Sequence, residues 1–245
     1  MGATAFENLF ENDFKQAAVD AGIIYPCYKS FDEFIDVNRL ISLDSYITEK
    51  INSHIKTQQE DYFLNLYRLS AETPYQPGVR EIWLSRTKAE LPLDYLDMVD
   101  ETEAWELTEH AAEFEELMQF IETLPFESRG RMLIIYDDAG KIVPAHRDHL
   151  DTDICNEFIW FRTNFRKALY MLNPQTNEKK YVESFSAWFD SVNQYHGSDA
   201  GDGLCFSIRV DGKFTDKFRK LIPKPELNRA STPALWASIS EKSHD

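Results

Sequence analysis

Hydrophobic and polar positions follow two periodicities along the chain, and the change from one to the other comes near Ser128. Before it the pattern is helical. Thr4-Ala5-Phe6-Glu7 has the form of a capping box, and Phe6, Leu9, Phe10, Phe14, Ala17 and Ala18 follow at helical spacing until Gly22. Ser30-Phe31-Asp32-Glu33 predicts a second box opening another short helix. Ile47, Ile51 and Ile55, then Phe63, Leu66 and Tyr67, predict a long or broken helix before the Pro74 and Pro77 loop. Trp105, Phe114, Leu117, Met118 and Ile121 predict a further amphipathic helix.

After Ser128 the pattern is that of strands. Arg131 to Tyr136 predicts one, and Asp137-Asp-Ala-Gly-Lys141 a turn using Gly140. Ile142 to Ala145 begins the next and leads into His146. Phe158 to Phe165, four apolar residues followed by Arg162-Thr163-Asn164 and Phe165, predicts a half-buried strand. Ala168 to Leu172 and Lys180 to Val182 flank an Asn173-Pro174 turn. Ser186 to Ser191 leads into His196, placed just before the strand Leu204 to Val210, and Asp211-Gly212 turns the chain. Short strands at this spacing suggest a small barrel or sandwich. The organisation predicted is α+β: a helical N-terminal region, 1–127, packed on a β-core, 128–222, with a tail, 223–245.

Composition agrees with a packed core. Of 245 residues, 43% are hydrophobic and 13% aromatic, so disorder is not expected. No apolar run reaches membrane-spanning length, and the acidic start lacks the basic-then-apolar form of a secretion signal. Met1-Gly2 begins like a myristoylation signal, but Phe6 stands where Ser or Thr is required. Cys27, Cys155 and Cys205 are scattered and odd in number, as reduced thiols are. A cytoplasmic protein is expected. The net charge of −16 argues against nucleic acid, which needs phosphate-neutralising Lys and Arg. No Lys or Arg occurs between Lys88 and Arg129. That acidic stretch is either a solvated helix face or a field that draws in a cationic substrate or basic partner.

The candidate chemistry lies in the second half. VPAHRDH carries His146 and Asp148, NQYHGSD carries His196, and FSIRVDG carries Arg209. In an extended segment residues i and i+2 share a face, so His146 and Asp148 can reach one metal from a strand end. His149 and Asp151 form an overlapping second choice. Two imidazoles and one carboxylate are the donors of the facial triad that holds non-haem Fe(II) with open sites. Taken alone, His196 reads as a loop histidine that packs without metal. Arg209, flanked by Ile208 and Val210, needs an anionic partner if buried, and either Asp211 or a bound acid supplies one.

On these motifs the chain resembles the Fe(II)/2-oxoglutarate-dependent dioxygenases, whose pattern is His-x-Asp, a distal His and a basic residue some way beyond. The resemblance covers about residues 128–215 and implies a double-stranded β-helix, a jelly-roll or cupin-like core. Within the superfamily it is most similar to the aspartyl/asparaginyl β-hydroxylase-like branch, which includes bacterial free-proline hydroxylases. The basis is a strand with the early Arg131, a glycine turn, PAHRDH, and Arg-x-Asn on the next strand. The resemblance implies that His146, Asp148 and His196 bind Fe(II) and that Arg209 binds the distal carboxylate of 2-oxoglutarate, with O2 as second co-substrate. Ser207 would add a hydroxyl on the Arg209 face. The step from His196 to Arg209 is longer than the family pattern, and the Gly201-Asp202-Gly203 loop is placed to absorb it. Family halogenases lack the iron carboxylate, so Asp148 points to hydroxylation of a free amino acid or a peptidyl side chain.

Three further positions depend on which way a strand faces. Arg162 and Asn164 share one face of the Phe158–Phe165 run; inward, Arg162 binds a co-substrate or substrate carboxylate and Asn164 touches substrate, and outward both are a polar edge. Trp160 has the same parity and would wall the pocket. Two other functions remain open: a non-catalytic cupin-like module binding a small acid or a protein, and a metal cupin enzyme independent of 2-oxoglutarate.

Overall fold

The computed structural model describes residues 28–57, 79–88, 104–137, 140–146, 157–173, 176–191 and 194–222. Strand β1 (Lys29–Ser30) and a 3₁₀ turn at Asp32–Phe34 precede helices α1 (Val37–Ser42) and α2 (Asp44–Thr57). Strands β2 (Val79–Trp83), β3 (Ser85–Thr87) and β4 (Trp105–Leu107) come next, then helices α3 (Glu109–Glu113) and α4 (Glu115–Ile121). The longest strand, β5 (Phe126–Asp137), opens a series that continues with β6 (Val143–His146), β7 (Phe158–Phe161), β8 (Leu169–Leu172) and β9 (Lys179–Tyr181). It ends with β10 (Ser186–Trp188), β11 (Tyr195–Ser198), β12 (Cys205–Phe214) and helix α5 (Asp216–Arg219).

Strand pairing is antiparallel throughout the described residues. One sheet runs β1-β10-β7-β12-β5-β2, another β6-β11-β8-β9, and β3 pairs β4 apart from both. The pairings nest: β8 with β9, β7 with β10, β6 with β11 and β5 with β12. Nested ladders shared between two sheets are jelly-roll connectivity.

Register decides what each face of the larger sheet carries, because directly opposed residues of an antiparallel pair point the same way. Ile208 opposes Ile134 and Phe161, and Ile134 opposes Ile82; all are wholly buried. The helices cover this face: the Phe161 ring meets Phe120 of α4 at 5.6 Å, and Leu40, Ile47, Ile51 and Leu117 join the same core. The opposite face carries Arg209 against Leu133 and Trp160. It looks toward the smaller sheet, since Phe158 of β7 meets Phe189 at 5.1 Å and Phe189 meets His196 of β11 at 4.9 Å.

The helices follow the expected logic in part. Ile47 and Ile51 are wholly buried one turn apart on α2. Helix α1 begins where the Asp36 carboxylate accepts from the Arg39 amide at 3.0 Å. The Ser30 box opens no α-helix. Residues 29–30 pair with β10, and Asp32 instead accepts from the Phe185 and Ser186 amides at 3.0 and 2.8 Å. Trp105 lies on a strand, not a helix, stacked on Trp83 at 6.3 Å, and the helix beyond it breaks at Phe114. The N-terminal region is therefore not helical throughout: β1 and β2 are the outer strands of the larger sheet. The Thr4 box with its helix, Phe63 to Tyr67, the Pro74 and Pro77 loop, most of the acidic stretch before 104, and the tail from 223 lie outside the described residues.

Three strand boundaries also differ. Strand β7 stops at Phe161 and is buried on both faces, because helices cover one side and the second sheet the other. Asp211-Gly212 does not turn the chain; β12 runs through to Phe214 with a shift in its pairing between Val210 and Gly212. His196 stands within β11 instead of ahead of a strand.

Candidate metal and anion site between the sheets

His146 ends β6 and His196 lies on β11, and the two are Cα partners in the ladder. Their rings lie on one face with centroids 4.5 Å apart. Each ring is oriented by the carbonyl two residues before it: His146 Nδ1 donates to the Pro144 carbonyl at 2.9 Å, and His196 Nδ1 donates to the Gln194 carbonyl at 3.2 Å. A carbonyl only accepts, so each Nδ1 carries a proton, and Nε2 is the ring atom that could bind a metal. This is the second-sphere arrangement of metal-binding histidines, and the pair fits a divalent metal held through two Nε2 atoms. Pairing of β6 with β11 shifts between His196 and Ser198, so the irregularity falls beside the rings. Asp148, His149 and Asp151 lie outside the described residues.

The histidines connect to Arg209 through two phenyl rings. Phe189 packs on His196 at 4.9 Å, Phe158 packs on Phe189 at 5.1 Å, and the Arg209 guanidinium carbon lies 4.1 Å from the Phe158 centroid. Arg209 is 8% exposed. Its Nε and Nη2 donate to Asp211 at 3.1 and 2.9 Å, so the neighbouring carboxylate left open by the sequence is a partner in the structure. Asp211 also accepts from Arg131 Nε at 3.2 Å, which makes a half-buried Arg131–Asp211–Arg209 cluster. Stacking on Phe158 and pairing with Asp211 fix the plane of the Arg209 fork.

Ser207 sits two residues before Arg209, on the same face of β12 and half-buried. Trp160 directly opposes Arg209 and is 7% exposed, which puts it on the face toward the smaller sheet. Arg162 and Asn164 are used differently. Arg162 donates through Nε to the Ser184 carbonyl and through Nη1 to that of Lys167, each at 3.1 Å, and through Nη2 to that of Val182. Its ring partners are Phe165 and Trp160, at 3.9 and 5.4 Å. Burial pulls the guanidinium down to about 10, against the opposing influence of Asp32 and Tyr28. The guanidinium nitrogens thus hold the β7–β10 connection together. Asn164 donates to Asp44 at the start of α2 at 2.5 Å, and Thr163 and Arg166 donate to the same carboxylate. Asn164 therefore faces the helical layer.

Sequence reasoning assigned no role to Phe189 or to Arg131 as an Asp211 partner. Both depend on register: Arg131 meets Asp211 only because β5 pairs β12, across 80 positions of chain. Among the described residues no helix is long and apolar enough to cross a membrane.

No protein-family model matches the chain, and no curated protein matches it. Among solved structures it is similar to a prolyl-4-hydroxylase of Pseudomonas putida, with 14% identity and a TM-score of 0.43, covering 82% of this chain and 99% of that one. It is similar to a prolyl hydroxylase from Trichoplax adhaerens in complex with a hypoxia inducible factor peptide fragment, with 11% identity and a TM-score of 0.43, covering 91% and 98%. A viral collagen prolyl hydroxylase from Paramecium Bursaria Chlorella virus-1 gives 9% identity and a TM-score of 0.34, covering 76% and 96%.

Proposed function

We propose that the chain is an Fe(II)- and 2-oxoglutarate-dependent dioxygenase with a double-stranded β-helix core, hydroxylating a C–H bond of a free amino acid or of a peptidyl side chain. The observation that carries this is the pairing of His146 with His196, each ring held by the carbonyl two residues before it, so that Nε2 would be the donor to a metal. Asp148, two residues beyond His146 in the chain, would supply the carboxylate. When bound, iron and 2-oxoglutarate supply the oxidant: one atom of O2 enters the substrate as hydroxyl, the other enters the succinate left when 2-oxoglutarate loses carbon dioxide.

The chain's own residues would do the positioning. Arg209, fixed by Asp211 and the Phe158 ring, would donate to the distal carboxylate of 2-oxoglutarate, with Ser207 offering a hydroxyl from the same face. Phe158 and Phe189 would keep the space between anion and metal dry, which strengthens both interactions. Trp160 would wall the substrate side. The test is anaerobic addition of Fe(II) and 2-oxoglutarate, followed by succinate formation against amino acids and short peptides that include Lys, Arg and Pro. A visible charge-transfer band lost in His146→Ala supports the reading; intact, folded protein with no band sinks it.

A second reading has one observation in its favour. Asp211 gives Arg209 a partner within the protein, as a metal cupin enzyme without 2-oxoglutarate would require. Activity that survives Arg209→Ala would select that reading.

A further inference from the structure

Helices α2 and α3 bring together three metal-binding side chains that the proposed reaction does not use. His54 of α2 and His110 of α3 are 2% and 4% exposed, and their rings meet edge to face with centroids 4.9 Å apart. Glu113 follows His110 by three positions, so both lie on one face of the helix. Its two carboxylate oxygens reach both rings: Oε1 lies 2.9 Å from His110 Nδ1, and Oε2 lies 3.8 Å from His54 Nδ1. One donor atom from each residue falls within 4.8 Å of the other two.

We propose that His54, His110 and Glu113 form a second metal site, for a zinc-class divalent cation, that clips α2 to α3. Tetrahedral zinc bound to imidazole and carboxylate sets its donor atoms roughly 3.3 Å apart, so small side-chain rotations bring these donors into place. Two imidazoles select a borderline cation over calcium or magnesium, which prefer oxygen donors. The rings are buried while the Glu113 side chain is 47% exposed, so the cation enters past the carboxylate and solvent completes its coordination.

This site is separate from the histidine pair between the sheets. Helix α2 packs on the other face of the larger sheet through Ile47 and Ile51, and its first residue, Asp44, gathers the loop after β7. A cation here would therefore brace the support of β7 without touching the proposed reaction.

The test uses the full chain carrying His146→Ala and His196→Ala, which removes the histidine pair between the sheets. Stripped of metal and titrated with zinc, it is expected to bind one equivalent and to melt at a higher temperature; cobalt(II) is expected to give the visible bands of a four- or five-coordinate site. Adding Glu113→Gln should weaken zinc binding at least about tenfold while leaving the metal-free melting temperature unchanged. Adding His54→Ala should abolish binding, and Glu113→Gln decides the matter if that protein does not fold. No zinc-dependent rise in melting temperature, or binding unaltered by Glu113→Gln, overturns the proposal.

Discussion

His146 and His196 face one another across a single step of the β6–β11 ladder, Cα partner to Cα partner, with ring centroids 4.5 Å apart. Neither strand alone fixes that distance. The ladder sets the backbone separation, and the carbonyls of Pro144 and Gln194 set the ring planes. A metal site built this way would be organised before the metal arrives.

Replacement of either histidine should therefore remove metal rather than fold. His146→Ala and His196→Ala are each expected to weaken Fe(II) binding by at least about 10²-fold, beyond the loss usual for an outer-sphere partner. Isothermal titration with Fe(II) or cobalt(II) under anaerobic conditions measures this. The melting temperature of His146→Ala should change little, because His146 is only half-buried. Full-strength binding in both variants would place the metal elsewhere.

Arg209 and Asp211 separate stability from co-substrate binding. Arg209→Ala is expected to raise the half-saturating 2-oxoglutarate concentration roughly 10- to 100-fold, the worth of a hydrogen bond to a charged group. Asp211→Ala leaves Arg131 and Arg209 crowded without their shared carboxylate, and losing hydrogen bonds to a charged group in this half-buried cluster costs about 1.5–3 kcal/mol. Steady-state kinetics across 2-oxoglutarate concentrations and chemical denaturation read the two effects separately. An Arg209→Ala enzyme with unchanged half-saturation would remove 2-oxoglutarate from the site.

The strand-forming half of the chain was legible because its strands are short and punctuated. Gly140 takes the positive φ that a turn there requires, and the strand leading into His146 falls close to its expected place, whereas the short strand β11 around His196 was not expected. Legibility failed where tertiary contact overrides local pattern. Trp105 has helical spacing to later apolar residues, yet it lies on a strand paired with β3, where it stacks on Trp83 and is buried. Asp211-Gly212 has the composition of a turn, but Asp211 is held in the strand by two arginines, one of them on β5. The pattern from Phe158 to Phe165 could not reveal that Arg162 spends its donors on carbonyls, since those carbonyls come from residues 167 to 184.

Arg162 offers a sharp contrast with Arg209. Its hydrogen bonds go to backbone of the β7–β10 connection, so Arg162→Ala should lower stability by about 1–3 kcal/mol through carbonyls left without donors. The half-saturating 2-oxoglutarate concentration of the folded fraction should stay within about twofold, a change worth under 1 kcal/mol. Denaturation curves and the same kinetics decide the point. A large rise in half-saturation with little loss of stability would return Arg162 to the carboxylate-binding role that its position on the run first suggested.

Gly197 tests whether the ladder itself holds the histidine pair. A Cβ there would lie 2.6 Å from the Val143 carbonyl oxygen and 2.7 Å from the Tyr170 hydroxyl. The phenol can swing aside, but the carbonyl belongs to β6, the strand that carries His146. Gly197→Ala must therefore push β6 away from β11 beside both rings. The expected cost is about 1–3 kcal/mol of stability, the usual penalty for overpacking, together with weaker metal binding. Adding Tyr170→Phe relieves only the phenol oxygen, so the double variant should recover little of either loss. Denaturation and metal titration of the single and double variants check this. If Gly197→Ala bound metal as tightly as the parent while losing stability, ring placement would depend on the loops around His146 and His196 instead of on the pairing of their strands.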